Sequence, residues 1–245
     1  MKDKTCLLVL GGEIKDTAMF RQRVKEAAQI FAADSGARHM RRAGILPDVI
    51  YGDLDSLSPE ELRYFEDAGC RFVVSPAEKN DTDGILVLKE ALRAGYKDVR
   101  IWGALGGRAD HSYANIMLLQ YPLLPEYREM QDARGAREKT QDARGFSKEE
   151  TQPELPDVVI EDRGMRIFLG KPGQWLEGKP GDYLSLFALS QEVKGFQHIG
   201  LKYQPEGGRF ISGFPLGISN EFMQEKVWIH WREGTLLCMQ VDRDV

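Results

Sequence analysis

The chain lacks the features that mark membrane-spanning, secreted and disulfide-stapled proteins. Its longest uninterrupted apolar run is Cys6 to Leu10, far short of the roughly 20 residues that a bilayer-crossing helix needs. The same run is too brief for a secretory signal, which predicts a cytoplasmic protein. Cysteine is scarce: Cys6, Cys70 and Cys238 are the only three, none in a C-x-x-C spacing, so buried reduced thiols are expected. The four histidines, His39, His111, His198 and His230, show no metal-ligand spacing. Positive charge is not in excess, since 33 Lys and Arg face 38 Asp and Glu for a net charge of −5. No global field would draw in a phosphate backbone, and a general nucleic-acid binder is not expected. There is no G-x-x-x-x-G-K-[ST] loop, no G-x-G-x-x-G after the first strand and no H-E-x-x-H, which lowers P-loop kinases and dinucleotide oxidoreductases in rank.

What is present is a globular composition, with 42% hydrophobic and 29% charged residues over 245 positions, enough for a real core and about two domains. The first part alternates short branched-apolar runs with helical patterns. The runs, Cys6 to Leu10, Gln29 to Ala33, Val49 to Tyr51, Arg71 to Val74 and Val99 to Trp102, read as buried parallel strands. Between the third and fourth, Ser58, Pro59 and Glu61 form a capping box with proline at the first helical position, and Gly69 can end the helix. Thr82 caps a second pattern whose Ile85, Leu88 and Leu92 recur at helical spacing. Such alternation predicts an α/β, doubly wound parallel-sheet domain over residues 1–125.

Residues 126–156 differ. Between Glu126 and Gln152 seven acidic and six basic residues are interleaved with few large apolar ones, too little apolar surface to repay ordering. A charged, mobile linker or insertion is expected there, with a solvated helix as the competing reading. From 157 to 245 short strands joined by glycine-containing turns predict an all-β sandwich.

In an open parallel sheet, ligands sit outside the carboxyl ends of the strands. Here those ends carry Gly11-Gly12, Asp34-Ser35-Gly36, Asp53-Leu54-Asp55-Ser56, the stretch from Glu78 and Lys79 to Thr82 and Asp83, and Gly106-Gly107-Arg108 followed by Asp110 and His111. Gathered carboxylates repel unless cations bind among them. Mg²⁺ suits that role because it is held by a few carboxylates plus substrate phosphates, and Lys79, Arg108 and glycine N–H groups suit phosphate oxygens. Phosphoryl or nucleotidyl transfer is the indicated chemistry. Each piece alone has a plainer account, as a turn, a helix cap or a tight glycine corner; their joint placement favours function.

The series Ala33-Asp34-Ser35-Gly36-Ala37, Pro47-Asp48-x-x-x-Gly52-Asp53-Leu54-Asp55-Ser56, Glu78-Lys79-x-x-Thr82-Asp83 and Gly106-Gly107-Arg108-x-Asp110-His111 strongly resembles thiamine pyrophosphokinases, in order and spacing. Gly200-Leu201-Lys202-Tyr203 and Gly217-Ile218-Ser219-Asn220-Glu221 extend the resemblance into the second domain. It implies Mg²⁺-dependent transfer of a pyrophosphoryl group from ATP to the thiamine hydroxyl, in a homodimer with shared active sites. It also implies roles. Asp53, Asp55 and Asp83 would organise the metal, and Arg108 and Lys79 would stabilise phosphate charge. Asp34, Ser35, Gly36, Thr82, Gly107 and His111 would line the nucleotide site. Asp110 would contact metal or accept the hydroxyl proton, and Ser219, Asn220 and Tyr203 would meet thiamine. Asn80 stands where bacterial relatives often place an acid, and Tyr203 where tryptophan is often seen. The alternatives are another metal-dependent transferase with the same rim, or a non-catalytic nucleotide or thiamine sensor.

Overall fold

The computed structural model describes residues 4–74, 81–141 and 155–244, and the chain divides into two units, Met1–Val158 and Val159–Val245. In the first, five strands alternate with helices in the predicted order: β1 (Thr5–Val9), α1 (Thr17–Glu26), β2 (Gln29–Ala33), α2 (Gly36–Ala43), β3 (Val49–Gly52), α3 (Pro59–Asp67), β4 (Arg71–Val74), α4 (Asp83–Arg93), β5 (Asp98–Trp102) and α5 (Ala109–Met117). All pairings among these strands are parallel, in the order β5-β1-β2-β3-β4. The chain therefore steps outward from β1 to β4 and then crosses back to β5, which leaves a topological switch beside β1. One face of the sheet buries Leu7, Val9, Ala32, Ile50 and Trp102 against Phe20, Val24, Met40 and Phe65 from α1, α2 and α3.

Two helix starts form by the expected local chemistry. Ser58 accepts from the Glu61 N–H while Glu61 accepts from the Ser58 N–H, completing the capping box of α3. Thr82 accepts from the Ile85 N–H and caps α4.

The charged stretch departs from expectation. Residues Pro125–Gln141 form a helix, α6, where the composition pointed first to a mobile linker. Proline at the first position, Glu126 in the first turn and a buried Tyr127, edge-on to Tyr121 at 6.1 Å, anchor its beginning. A single buried aromatic residue does not stand out against thirteen alternating charges in a sequence reading. Residues 142–154 of the stretch lie outside the described residues.

The second unit holds the β-rich part. Its strands are β6 (Asp157–Asp162, entered from the first unit), β7 (Met165–Leu169), β8 (Gln174–Glu177), β9 (Tyr183–Ala188), β10 (Glu192–Lys194), β11 (Gln197–Ile199), β12 (Arg209–Ile211), β13 (Gly217–Glu221), β14 (Lys226–His230) and β15 (Leu236–Val241). Antiparallel pairing runs β6-β7-β15-β9-β13, with a second sheet β11-β14-β8 and a small ribbon β10-β12. Inward residues of these sheets, among them Phe168, Leu184, Leu186, Val227, Ile229, Leu236 and Cys238, share one core with Phe196, Phe210 and Phe222. All three cysteines are free; Cys6 and Cys238 are buried, and Cys70 is half-buried. No described helix is long and apolar enough to cross a membrane.

Candidate active site

The carboxyl ends of β2 and β3 bring three acids together. Carboxylate oxygens of Asp34, Asp53 and Asp55 all lie within 4.8 Å of one another. The backbone is bent to achieve this. Asp34 and Leu54 adopt positive φ values of 41° and 66°, conformations that side chains other than glycine adopt only at a cost. The Leu54 N–H donates to Asp34 Oδ1 at 3.1 Å, and the Asp55 N–H donates to Asp53 Oδ1 at 3.1 Å. Gly52, at φ 144°, makes room: a Cβ on it would stand 1.8 Å from Asp34 Oδ1. Arg38 braces the loop from α2, donating from Nη2 to the Ser56 carbonyl and from Nε to Glu61 at 3.2 Å.

Asp83, first residue of α4, meets Asp34 through a side-chain hydrogen bond. Burial first, then that bond and the charges of Asp83 and Asp53, push the Asp34 carboxyl up to about 7. Asp55 is likewise raised, chiefly by its contact with Asp53. Acids that raise one another's proton affinity are short of positive charge. The site thus unites Asp53, Asp55 and Asp83 with Asp34, a residue expected on the nucleotide side and found between the others.

The β5 end behaves differently. Arg108 grips Asp110 with two bonds, Nε to Oδ1 at 3.1 Å and Nη2 to Oδ2 at 2.6 Å. The His111 N–H also donates to Asp110 Oδ1, at 2.9 Å. The guanidinium foremost, then that N–H, holds the Asp110 carboxyl at about 2, so it is a weak proton acceptor that orients Arg108. Gly107 turns the chain into α5 with φ 65° and open space beside it. Ser35 and Gly36 begin α2, and a Cβ on Gly36 would stand 2.1 Å from the Val9 carbonyl oxygen. Lys79 lies outside the described residues.

The strand ends of β1 and β5 are tied to each other by backbone. The N–H groups of Leu10, Gly12 and Glu13 donate to the carbonyls of Trp102, Gly103 and Leu105 at 2.7–2.8 Å. His39 of α2 adds a bond from Nε2 to the Gly12 carbonyl at 2.6 Å. Sequence reading passed over Arg38 and weighed His39 only for metal-ligand spacing; the one signal for either is its place shortly after the Asp34-Ser35-Gly36 motif.

In the second unit Tyr203 and Asn220 are joined, the Tyr203 N–H donating to Asn220 Oδ1 at 2.9 Å and Asn220 Nδ2 donating to the Tyr203 carbonyl at 2.7 Å. Asn220 is buried by this clasp, whereas the Tyr203 ring is 53% exposed. Ser219, exposed at φ 55°, sits where the β9-β13 register shifts, its N–H donating to Ser185 Oγ at 3.0 Å.

The family model described as thiamin pyrophosphokinase, catalytic domain, matches residues 20–129, and that described as thiamin pyrophosphokinase, vitamin B1 binding domain, matches residues 175–236. Thiamine pyrophosphokinase of Bacillus subtilis (strain 168) is 26% identical over 97% of this chain and 98% of its own length. The crystal structure of thiamine pyrophosphokinase from Bacillus subtilis superposes with a TM-score of 0.75 at 25% identity, covering 98% of this chain and all of that one. The yeast thiamin pyrophosphokinase structure, at 17% identity, shares the fold with a TM-score of 0.66, over 100% of this chain and 88% of its own. With both halves matched by its models, and with relatives that span the chain from end to end, this protein belongs to the thiamin pyrophosphokinase family.

Proposed function

We propose that the chain transfers the terminal pyrophosphoryl group of ATP to the hydroxyl of thiamine, giving thiamine diphosphate and AMP. The observation that carries this reading is the meeting of Asp34, Asp53 and Asp55 within 4.8 Å at adjacent strand ends. A hard divalent cation such as Mg²⁺ fits an all-oxygen donor set of this kind, with Asp34, Asp53 and Asp55 as its holders and Asp83 beside them. Bound there, it would supply charge neutralisation for the phosphates.

The chain's own groups supply the remainder. Arg108, steadied by Asp110, keeps its unused N–H donors for phosphate oxygens, a charge-assisted contact that strengthens as negative charge builds on the transferred group. The start of α5 after Gly107 adds backbone N–H donors of the kind that favour anions. The thiamine hydroxyl oxygen, giving its proton to solvent, forms its bond to the β-phosphorus as the bond from that phosphorus to the bridging oxygen of AMP breaks. Tyr203 offers an exposed ring for stacking on thiamine, and Ser219, next in the chain to the Asn220 that clasps Tyr203, an exposed hydroxyl. The family resemblance supports a homodimer in which the acids of one chain work with Tyr203 and Ser219 of the other.

³¹P NMR of the purified chain with ATP, thiamine and Mg²⁺ tests the reaction. Equal amounts of thiamine diphosphate and AMP, formed only with the metal, are expected; ADP with a monophosphate ester refutes it, and ATP bound but not consumed points to a sensor.

A further inference from the structure

Asp34 follows β2, whereas Asp53 and Asp55 lie in the loop from β3 to α3, so the meeting of their carboxylates depends on how those two segments are held together. Arg38 ties both. Its N–H donates to the carbonyl of Ser35, the residue after Asp34, at 3.1 Å. Its guanidinium crosses to the other segment, where Nη2 donates to the Ser56 carbonyl and Nε to both carboxylate oxygens of Glu61 at 3.2 and 3.3 Å. Glu61 is fixed in turn, because it closes the capping box of α3 by accepting from the Ser58 N–H at 2.8 Å. Ser56 passes this hold on to the acids. Its N–H bonds to the Asp55 carboxyl, and its hydroxyl is buried with no hydrogen-bond partner among the described residues, so the carbonyl that Arg38 takes is its outside anchor.

A planar guanidinium offers Nε and Nη2 in one fixed fork and meets a carboxylate and a carbonyl together, which the point charge of a lysine does less well. We propose that Arg38 is a positioning residue for the acid cluster, setting the Asp53–Asp55 loop against the Asp34 turn so that their carboxylates converge on one divalent cation. The inference rests on the acids holding a cation, as proposed above. Arg41 supplies the comparison. It makes a second ion pair from α2 to α3, Nη2 to Glu60 Oε1 at 2.6 Å, and lies over the Tyr64 ring at 5.1 Å, but neither contact involves the loop that carries the acids. The sign of the effect separates positioning from charge. Arg38 is itself a cation, so if its charge were what mattered to the site, removing it would tighten the binding of a metal ion; if it positions the acids, removing it loosens that binding.

The test is titration of the full chain with Mn²⁺ alone, without nucleotide or thiamine, free Mn²⁺ being read by electron paramagnetic resonance and the fold checked by urea unfolding of the same preparations. Arg38→Met should weaken Mn²⁺ about tenfold, the scale on which metal affinity falls when a partner that orients the ligands is lost, and Arg38→Lys should recover part of it. Arg41→Met, which loses the other ion pair between the two helices, should bind as wild type does. Glu61→Gln keeps the capping box, since glutamine also serves there, yet takes the charged partner from Arg38. It should weaken Mn²⁺ less than Arg38→Met does and add nothing to it in the double variant. Unchanged or tighter binding in Arg38→Met, or equal weakening in Arg38→Met and Arg41→Met, overturns the proposal and leaves Arg38 as a helix-to-helix tie. Asp55→Asn tests the cation itself. Equal Mn²⁺ binding by wild type and Asp55→Asn refutes the metal reading and the proposal with it, whereas loss in Asp55→Asn beside none in Arg38→Met refutes the role of Arg38 alone.

Discussion

Replacing Gly52 with alanine separates the strain of a backbone conformation from the placement of one carboxylate. At φ 144° the alanine is strained by about 1–3 kcal/mol. Its Cβ also stands 1.8 Å from Asp34 Oδ1, where ordinary contacts begin at 3.4 Å, so the carboxylate must retreat by more than an ångström. That retreat gives up the Leu54 N–H bond, roughly 1 kcal/mol more, for a total near 2–4 kcal/mol. Gly44 provides the control, because it has φ 71° and nothing within 4 Å of its would-be Cβ. Gly44→Ala should cost about 1–2 kcal/mol of strain with wild-type turnover. Gly52→Ala should lose on the order of a hundredfold in turnover, the scale that an ångström of misplacement produces, and should bind Mg²⁺ more weakly. Urea unfolding of both variants, with ³¹P NMR of the reaction, gives the comparison; equal turnover by the two variants would refute the placement of Asp34 in the working site.

Metal-free protein should lose stability as pH rises from 5 to 8. Asp34 ordinarily titrates at 3.8 and is raised to about 7 in the fold, so the folded state keeps a proton that the unfolded chain releases. Its stabilising share is complete below the lower value and gone above the higher. After discounting for solvent around a half-buried group, the loss is about 1–2 kcal/mol, and both millimolar Mg²⁺ and Asp34→Asn should flatten it in thermal melts. In mixed dimers, an Asp55→Asn chain combined with a Tyr203→Ala chain should regain part of the activity that each homodimer lacks; no recovery in verified heterodimers would place each site within one chain.

Much of the first unit was legible because its signals are local. The five apolar runs, the Ser58 capping box and the Thr82 cap each declare themselves within a few residues, and the strand-end rule then gathers the acids on one rim. What the sequence does not state is which acids touch. Asp34 and Asp53 are separated by a helix, and their meeting depends on the positive φ values at Asp34 and Leu54 and on the gap beside Gly52. The strands β8 and β10 to β13 are short or polar and lack clear alternation, so the sequence does not mark them one by one; in β13 the register shift between Gly217 and Asn220 interrupts the period of two that identifies a strand. The double bond between Asn220 and Tyr203 spans 17 residues, a clasp that no periodicity announces.

The ties between the β1 and β5 ends also divide the segment that carries Arg108 into a fixed and a movable part. Residues 102, 103 and 105 are stitched to the β1 end by backbone, and Asn115 Nδ2 pins the Ala104 carbonyl at 2.8 Å. Beyond them come two consecutive glycines with left-handed φ, the second with nothing within 4 Å of where a Cβ would stand. Any turn of Arg108 on nucleotide arrival therefore falls on Gly106 and Gly107, while Asp110 rides on α5, which Asn115 ties to the same floor, so the guanidinium moves only by leaving its carboxylate partner.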